Sequence, residues 1–219
     1  HRVPAAGQCC GKHGCPFDCG LCPDHARQTC CALIEVTQRC NMTCPVCYAS
    51  SSNAAADPDL TEIGNMLDTL REQGGQANVQ LSGGEPTVRE DLPDILHLAR
   101  RKGFPFVQLN TNGLRLAREA GYAETLKTAG LDLVYLQWDG LSDKTFTLLR
   151  GAPYLSEKER AARNCIEAGL SVLFVATVAR GVNDGELGDL LRAALAFGPQ
   201  VRGLHLQPVA SFGRYAWKN

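Results

Sequence analysis

Hydrophobic and polar positions along this chain follow two rhythms that take turns. Aliphatic and β-branched runs at 32–37, 78–82, 106–110, 133–137, 171–177 and 203–207 have the length and composition of strands. Between them apolar residues recur at helical spacing. Leu60, Ile63, Leu67 and Leu70 form one stripe that stops at Gly74-Gly75, and Leu92, Ile95, Leu96 and Ala99 form a second. A third runs from Leu116 to Ala129, and Leu187, Leu190, Leu191 and Leu195 make another. Strand then helix, repeated, means parallel strands joined by crossovers. The six strands predict an α/β fold, either an open, partial (βα)6 barrel or a doubly wound sheet. A last short strand is expected in Phe212-Gly213-Arg214-Tyr215.

In either architecture ligands gather at the C-terminal ends of the strands. The polar and glycine-rich segments stand there: 37–47, Ser82-Gly83-Gly84-Glu85-Pro86, Asn110-Thr111-Asn112-Gly113, Gln137-Trp138-Asp139-Gly140, Thr177 and Gln207 all follow strands. Residues 1–30 show no such periodicity and are dense in Cys, Gly and Pro, so metal or disulfides must organise them. The expected division is a cysteine-rich segment over 1–30 and a barrel core over 31–219.

Composition narrows the partners. The 22 basic and 23 acidic residues give a formal charge of −1 and are dispersed, which leaves no electrostatic footprint for nucleic acid or an anionic membrane. The 44% apolar content is enough to bury a core and excludes a disordered chain. No apolar run approaches the roughly 18 residues of a membrane span. Residues 1–8 lack the charged and apolar regions of a signal peptide, so the expected setting is cytoplasmic. The chain opens on His1 and stops soon after the 212–215 strand, which reads as a piece of a longer protein.

Of 11 cysteines, all but Cys165 lie between Cys9 and Cys47. Cys40-Asn41-Met42-Thr43-Cys44-Pro45-Val46-Cys47 occupies the loop leaving the first strand as CxxxCxxC. Three thiolates on one compact loop can each bind an iron of a cubane cluster and leave the fourth iron open. Disulfides and structural zinc compete for the same residues. Disulfides suit a small secreted domain, and no export signal accompanies this pattern. Structural zinc takes four ligands, commonly as paired CxxC units, whereas this loop offers three. At the end of the second strand, Gly83 and Gly84 permit close backbone approach to a ligand, and Glu85 can accept hydrogen bonds from a cationic amine. An ordinary glycine turn is the plainer reading of that segment.

With both motifs in this order, the chain resembles the radical S-adenosylmethionine (SAM) superfamily across about residues 31–210. The resemblance implies a partial (βα)6 barrel of radical SAM type. It makes Cys40, Cys44 and Cys47 the catalytic ligands of a 4Fe–4S cluster, and sets Ser82, Gly83, Gly84 and Glu85 against the methionyl group of SAM. Asn112, Gln137, Asp139 and Thr177 are the positional candidates for ribose and adenine; Asn112-Gly113 also fits a turn, and Gln137 or Asp139 a substrate contact. In that family an electron from a low-potential donor such as ferredoxin or flavodoxin splits SAM to a 5′-deoxyadenosyl radical, which takes hydrogen from an unactivated carbon. One departure concerns the residue before the last cluster cysteine, often aromatic in the superfamily. Here it is Val46, and Tyr48 follows the loop instead.

A second CxxxCxxC, Cys15-Pro16-Phe17-Asp18-Cys19-Gly20-Leu21-Cys22, has no strand before it and no glycine motif of its own after it. It reads as an auxiliary 4Fe–4S cluster with Cys30 as fourth ligand, Cys31 and His25 being alternatives. Cys9 and Cys10 are candidates for another metal. The run Gly14-Cys15-Pro16-Phe17-Asp18-Cys19-Gly20-Leu21-Cys22-Pro23-Asp24-His25, with Thr37-Gln38-Arg39-Cys40 and Gly181-Val182-Asn183-Asp184, resembles a narrower branch. That branch contains archaeal tetraether lipid synthase and dihydro-hydroxymethylpterin methyltransferases. It implies carbon–carbon bond formation or methylation on a lipid or a pterin. Peptide or cofactor maturation, or a non-catalytic metal-binding or electron-transfer module, are the competing functions. A lipid requires a long apolar channel, and a pterin a compact pocket with amide and carboxylate partners.

Overall fold

The computed structural model describes residues 29–51, 56–74, 77–211 and 213–215. In chain order they form β1 (Cys31–Thr37), β2 (Val46–Cys47), α1 (Leu60–Gly74), β3 (Asn78–Gly83), α2 (Leu92–Arg101), β4 (Val107–Thr111), α3 (Leu114–Arg118), α4 (Tyr122–Thr128), β5 (Leu133–Gln137), α5 (Asp143–Arg150), α6 (Leu155–Glu167), β6 (Ser171–Val178), α7 (Leu187–Ala196), β7 (Val201–Pro208) and β8 (Arg214–Tyr215). Strands β1, β3, β4, β5, β6 and β7 lie in that spatial order, every neighbouring pair parallel. A doubly wound sheet reverses its strand order at a switch point. The strictly sequential order here leaves the open, partial barrel.

Strand alternation sets the two faces. Val79 and Leu81, Val107 and Leu109, Val134 and Leu136, and Val172, Phe174 and Ala176 are all buried against the helices. Helix α2 presents Leu92, Ile95, Leu96 and Ala99 to them, and α1 presents Ile63 and Leu67. Each such side chain contributes about 1.5–3 kcal/mol of burial. The opposite face looks into the barrel lumen.

The structure corrects two expectations and adds two helices that the sequence did not announce. The stripe from Leu116 to Ala129 is two helices, α3 and α4, separated at Gly121, whose φ of 77° breaks the helical path. On α7 only Leu190 and Ala194 are buried, while Leu191 and Leu195 are 49% and 70% exposed. Helices α5 and α6 carry no long apolar stripe. The buried face of α6 is Lys158, Ala161, Ala162 and Cys165, three small residues and a lysine, so no hydrophobic period announces it.

The short terminal strand forms, and its partner is the cysteine loop. β8 pairs antiparallel with β2, Val46 opposite Tyr215 and Cys47 opposite Arg214. Cys9, Cys10, Cys15, Cys19, Cys22 and His25 lie outside the described residues. No helix among the described residues is long and apolar enough to cross a membrane.

Candidate active site

The site begins where β1 ends. Its register with β3 slips between Glu35 and Thr37, and the chain then leaves the sheet for the cysteine loop. Thr37 Oγ1 donates to Asp57 at 2.6 Å and accepts from the Arg39 backbone N–H at 3.0 Å, while the Arg39 guanidinium pairs with the same carboxylate. The glycine segment docks on this turn: Gly84 N donates to Thr37 O and Glu85 N to Arg39 O, each at 2.8 Å. A Cβ on Gly83, at φ 123°, would stand 2.0 Å from Thr37 O, and one on Gly84 2.2 Å from Arg39 O. What these glycines admit is therefore the backbone of the cysteine loop itself.

Glu85 is 1% exposed, and its carboxylate is filled by protein donors. Thr87 N–H at 3.1 Å and the Thr87 and Thr111 hydroxyls at 2.6 Å donate to Oε1, and Asn112 N donates to Oε2 at 2.6 Å. It ties the end of β3 to that of β4. Asn112 is a bridge as well as a turn residue: Nδ2 donates to Asn41 Oδ1 at 2.7 Å, and Oδ1 accepts from Leu114 N at 2.9 Å, with Gly113 at φ 80° starting α3.

Asp139 is fully buried, and it does not line the cavity described below. Arg150, from the last turn of α5, holds its two oxygens at 2.7 Å each, and Thr177 N donates to it at 2.9 Å. The same guanidinium donates to Thr177 Oγ1 at 2.7 Å, and the Gln137 amide lies against it. Asn183, part of the Gly181–Asp184 segment singled out in the sequence, donates to Asp139 O at 2.7 Å and Thr177 O at 2.9 Å. Lys158 is also wholly buried and donates to Asn112 O. Burial pushes its ammonium down to about 8, against the opposing pull of Asp139.

Cys40, Cys44, Cys47, Ser82, Gly83, Gly84, Glu85, Asn112, Gln137 and Thr177 line one cavity of about 530 Å³. Cys30 sits at the opposite end of β1, roughly 20 Å away at strand rise. All six described cysteines are free thiols. Burial raises Cys40 to about 11 and raises Cys44 against the opposing charge of Arg150. At Cys47 burial is outweighed by hydrogen bonds from Ser51 and Ala49, and the thiol falls below its usual value. No three His, Cys, Asp or Glu side chains among the described residues converge as a site for a single ion. Three free thiols lining one cavity fit a cubane, in which each thiolate takes a different iron.

A family model described as the radical SAM superfamily matches residues 34–194. The chain belongs to the radical SAM superfamily. Membership implies a 4Fe–4S cluster and SAM as its cofactors. The chain is 44% identical over 207 residues to the 7,8-dihydro-6-hydroxymethylpterin dimethyltransferase of Methanocaldococcus jannaschii, covering 93% of this chain and 41% of that protein. It is 29% identical over 171 residues to a probable GTP 3′,8-cyclase of Methanothermobacter thermautotrophicus, covering 76% of this chain and 54% of the relative. The chain thus spans about half or less of either relative's length. The crystal structure of Streptococcus suis SuiB bound to S-adenosylmethionine superposes with a TM-score of 0.68 at 16% identity, covering 84% of this chain and 40% of that one. This radical SAM chain therefore shares that fold at low sequence identity.

Sequence reasoning missed Arg150, Arg214, Lys158 and the lumen residues Gln80, Tyr135 and His205; all but Lys158 line the cavity, where they join the strand-end residues Asn110 and Gln207. Isolated charges and amides within strands and helices carry no local signature. The Asp139-Gly140 segment was the one pointer to Arg150, since a buried carboxylate demands a cation.

Proposed function

We propose that this chain carries the SAM-cleaving centre of an enzyme that methylates, or forms a carbon–carbon bond on, a pterin-like heterocycle. The observation that carries the reading is the floor of the cavity. Besides the cysteine loop, the cavity is lined by amides from β3, β4, β5 and β7, Gln80, Asn110, Gln137 and Gln207, with Tyr135 and His205. Gln80 Nε2 donates to Asn110 Oδ1 at 2.6 Å, and Asn110 Nδ2 donates to Ser82 Oγ at 3.0 Å. A cavity of about 530 Å³ that presents several amides suits the donor and acceptor edge of a pterin. The pterin dimethyltransferase similarity supports the same choice.

In this reading Cys40, Cys44 and Cys47 hold the cluster, and Ser82, Gly83, Gly84, Asn112, Gln137 and Thr177 surround SAM. Asp139 acts through Arg150 rather than by touching the cofactor. Glu85 fixes the backbone that faces the methionyl group. When bound, the cluster and SAM supply a carbon-centred radical that removes hydrogen from an unactivated carbon. The strand ends orient the two ligands, and the helix-packed sheet behind them excludes water. Residues 1–30 supply the auxiliary cluster through Cys15, Cys19, Cys22 and Cys30. A low-potential cytoplasmic donor such as ferredoxin or flavodoxin delivers the electron.

The test is anaerobic reconstitution with iron and sulfide followed by reduction in the presence of SAM. Formation of 5′-deoxyadenosine, lost in Cys40→Ala and stimulated by a reduced pterin but not by a phospholipid, is the expected result. Well-loaded protein that makes no 5′-deoxyadenosine, or responds to the lipid alone, defeats the proposal.

A further inference from the structure

Two arginines distant in sequence grip neighbouring carbonyls of the cysteine loop. Arg150 Nη1 donates to Val46 O at 3.1 Å across 104 residues, and Arg214 Nε donates to Cys44 O at 2.6 Å across 170. Both side chains reach the cavity that Cys40, Cys44 and Cys47 line. Neither guanidinium is free to wander. Arg150 is buried and fixed by both Asp139 oxygens. Arg214 is carried by β8, whose pairing with Val46 and Cys47 sets its register. Gly213 lets β8 lie this close: at φ 74°, a Cβ there would stand 2.2 Å from Tyr48 O and 2.4 Å from Cys47 O.

We propose that Arg150 and Arg214 are positioning residues that clamp the cysteine loop from two sides, setting the thiol spacing before iron arrives and placing two fixed positive charges beside the cluster. This stands apart from the choice of substrate. A loop of eight residues with Asn41, Thr43 and Pro45 between its cysteines has no regular structure beyond the two-residue strand β2, so its carbonyls need outside donors. Arginine answers that need with a rigid fork whose charge persists at every pH. Charge and hydrogen bonding around cluster sulfurs also govern reduction potential. Asp139, buried behind Arg150, then holds the clamp in place.

The experiment uses the full chain, reconstituted anaerobically at limiting iron, in three variants. These are Arg214→Gln, Arg214→Lys, and Arg150→Gln combined with Asp139→Asn, which leaves no buried carboxylate unpaired. The readouts are the part of the reduced-cluster EPR signal that changes on adding SAM, its midpoint potential, and circular dichroism as a check of fold. Arg214→Gln is expected to cut SAM-responsive loading about ten-fold, the scale seen for outer-shell partners of metal ligands, and to move the midpoint more negative. Arg214→Lys is expected to return the midpoint toward wild type while recovering less of the loading, because an ammonium restores charge without the fork. A drop in loading with no change of midpoint overturns the electrostatic half of the proposal. Wild-type loading and midpoint in Arg214→Gln overturn the whole, and that variant decides the matter alone if the paired one does not fold.

Discussion

The two faces of the sheet are built from alternate residues of the same strands, yet they do opposite things. On the helix-covered face Val79, Leu81, Val107, Leu109, Val134, Leu136 and Phe174 exclude water completely or nearly so. One residue away along each strand, Gln80, Gln108, Asn110, Tyr135 and Gln137 turn toward the lumen. The first face stabilises the fold, and the second carries polar groups whose partners are other polar groups or a ligand. Gln108 shows what this arrangement costs: its side-chain oxygen is buried with no partner among the described residues. Stability and function are thus separated by the strand period of two.

Substitutions can sharpen or break that separation. The largest effect is expected at Phe174, which packs on Trp138 at 4.5 Å and Phe197 at 5.3 Å between ring centroids. Phe174→Ala should cost about 3–5 kcal/mol in urea unfolding; a loss below about 1 kcal/mol would show the helix-covered face to be less tightly packed than its burial implies.

Next in size is a pH effect at Lys158, the one cation placed among the aliphatic residues of the buried face of α6. The unfolded chain keeps this proton to about 10.5, and the folded chain releases it near 8 because burial penalises the charge. The unfolded state therefore binds more protons between those values, and stability should rise with pH across that window by about 3 kcal/mol relative to Lys158→Met. Parallel pH curves for the two proteins from 7.5 to 10.5 would show that the ammonium is solvated after all.

A smaller change is expected on the lumen side. Gln108→Leu should leave stability within about 1 kcal/mol of wild type, or raise it, because it removes an unpaired buried amide. A loss larger than that would reveal a partner for Gln108 and a lumen face with a structural share. The smallest effect belongs to Leu195 on the exposed side of α7. Leu195→Ser should shift the unfolding midpoint by no more than about 0.5 kcal/mol in stability, and a larger loss would mean that this side of α7 is covered.

Much of the fold was legible because its signals are local. The six sheet strands and the stripes of α1 and α2 announce themselves within a few residues, and the polar strand ends mark the site. Where a helix buries small side chains, as α6 does with Ala161, Ala162 and Cys165, periodicity vanishes and so did the prediction. At α7 the reverse held: Leu191 and Leu195 extend a stripe that packing uses only through Leu190 and Ala194. The CxxxCxxC and glycine motifs come together at one cavity, but the partners of each residue were out of reach. Glu85 had the form of a ligand for an amine and proved to be a hub for Thr87, Thr111 and Asn112. Asp139 stood at the right strand end and turned inward to Arg150.

By itself the sequence determined the strand and helix order, the cysteine spacing and the family, since each depends on residues within one element or loop. Only the tertiary structure decided what holds that loop in shape. Val46 O finds its donor 104 residues away and Cys44 O finds one 170 residues away. No local pattern encodes such a pairing, because a guanidinium can satisfy a carbonyl from any point in the chain that the fold brings within hydrogen-bond distance.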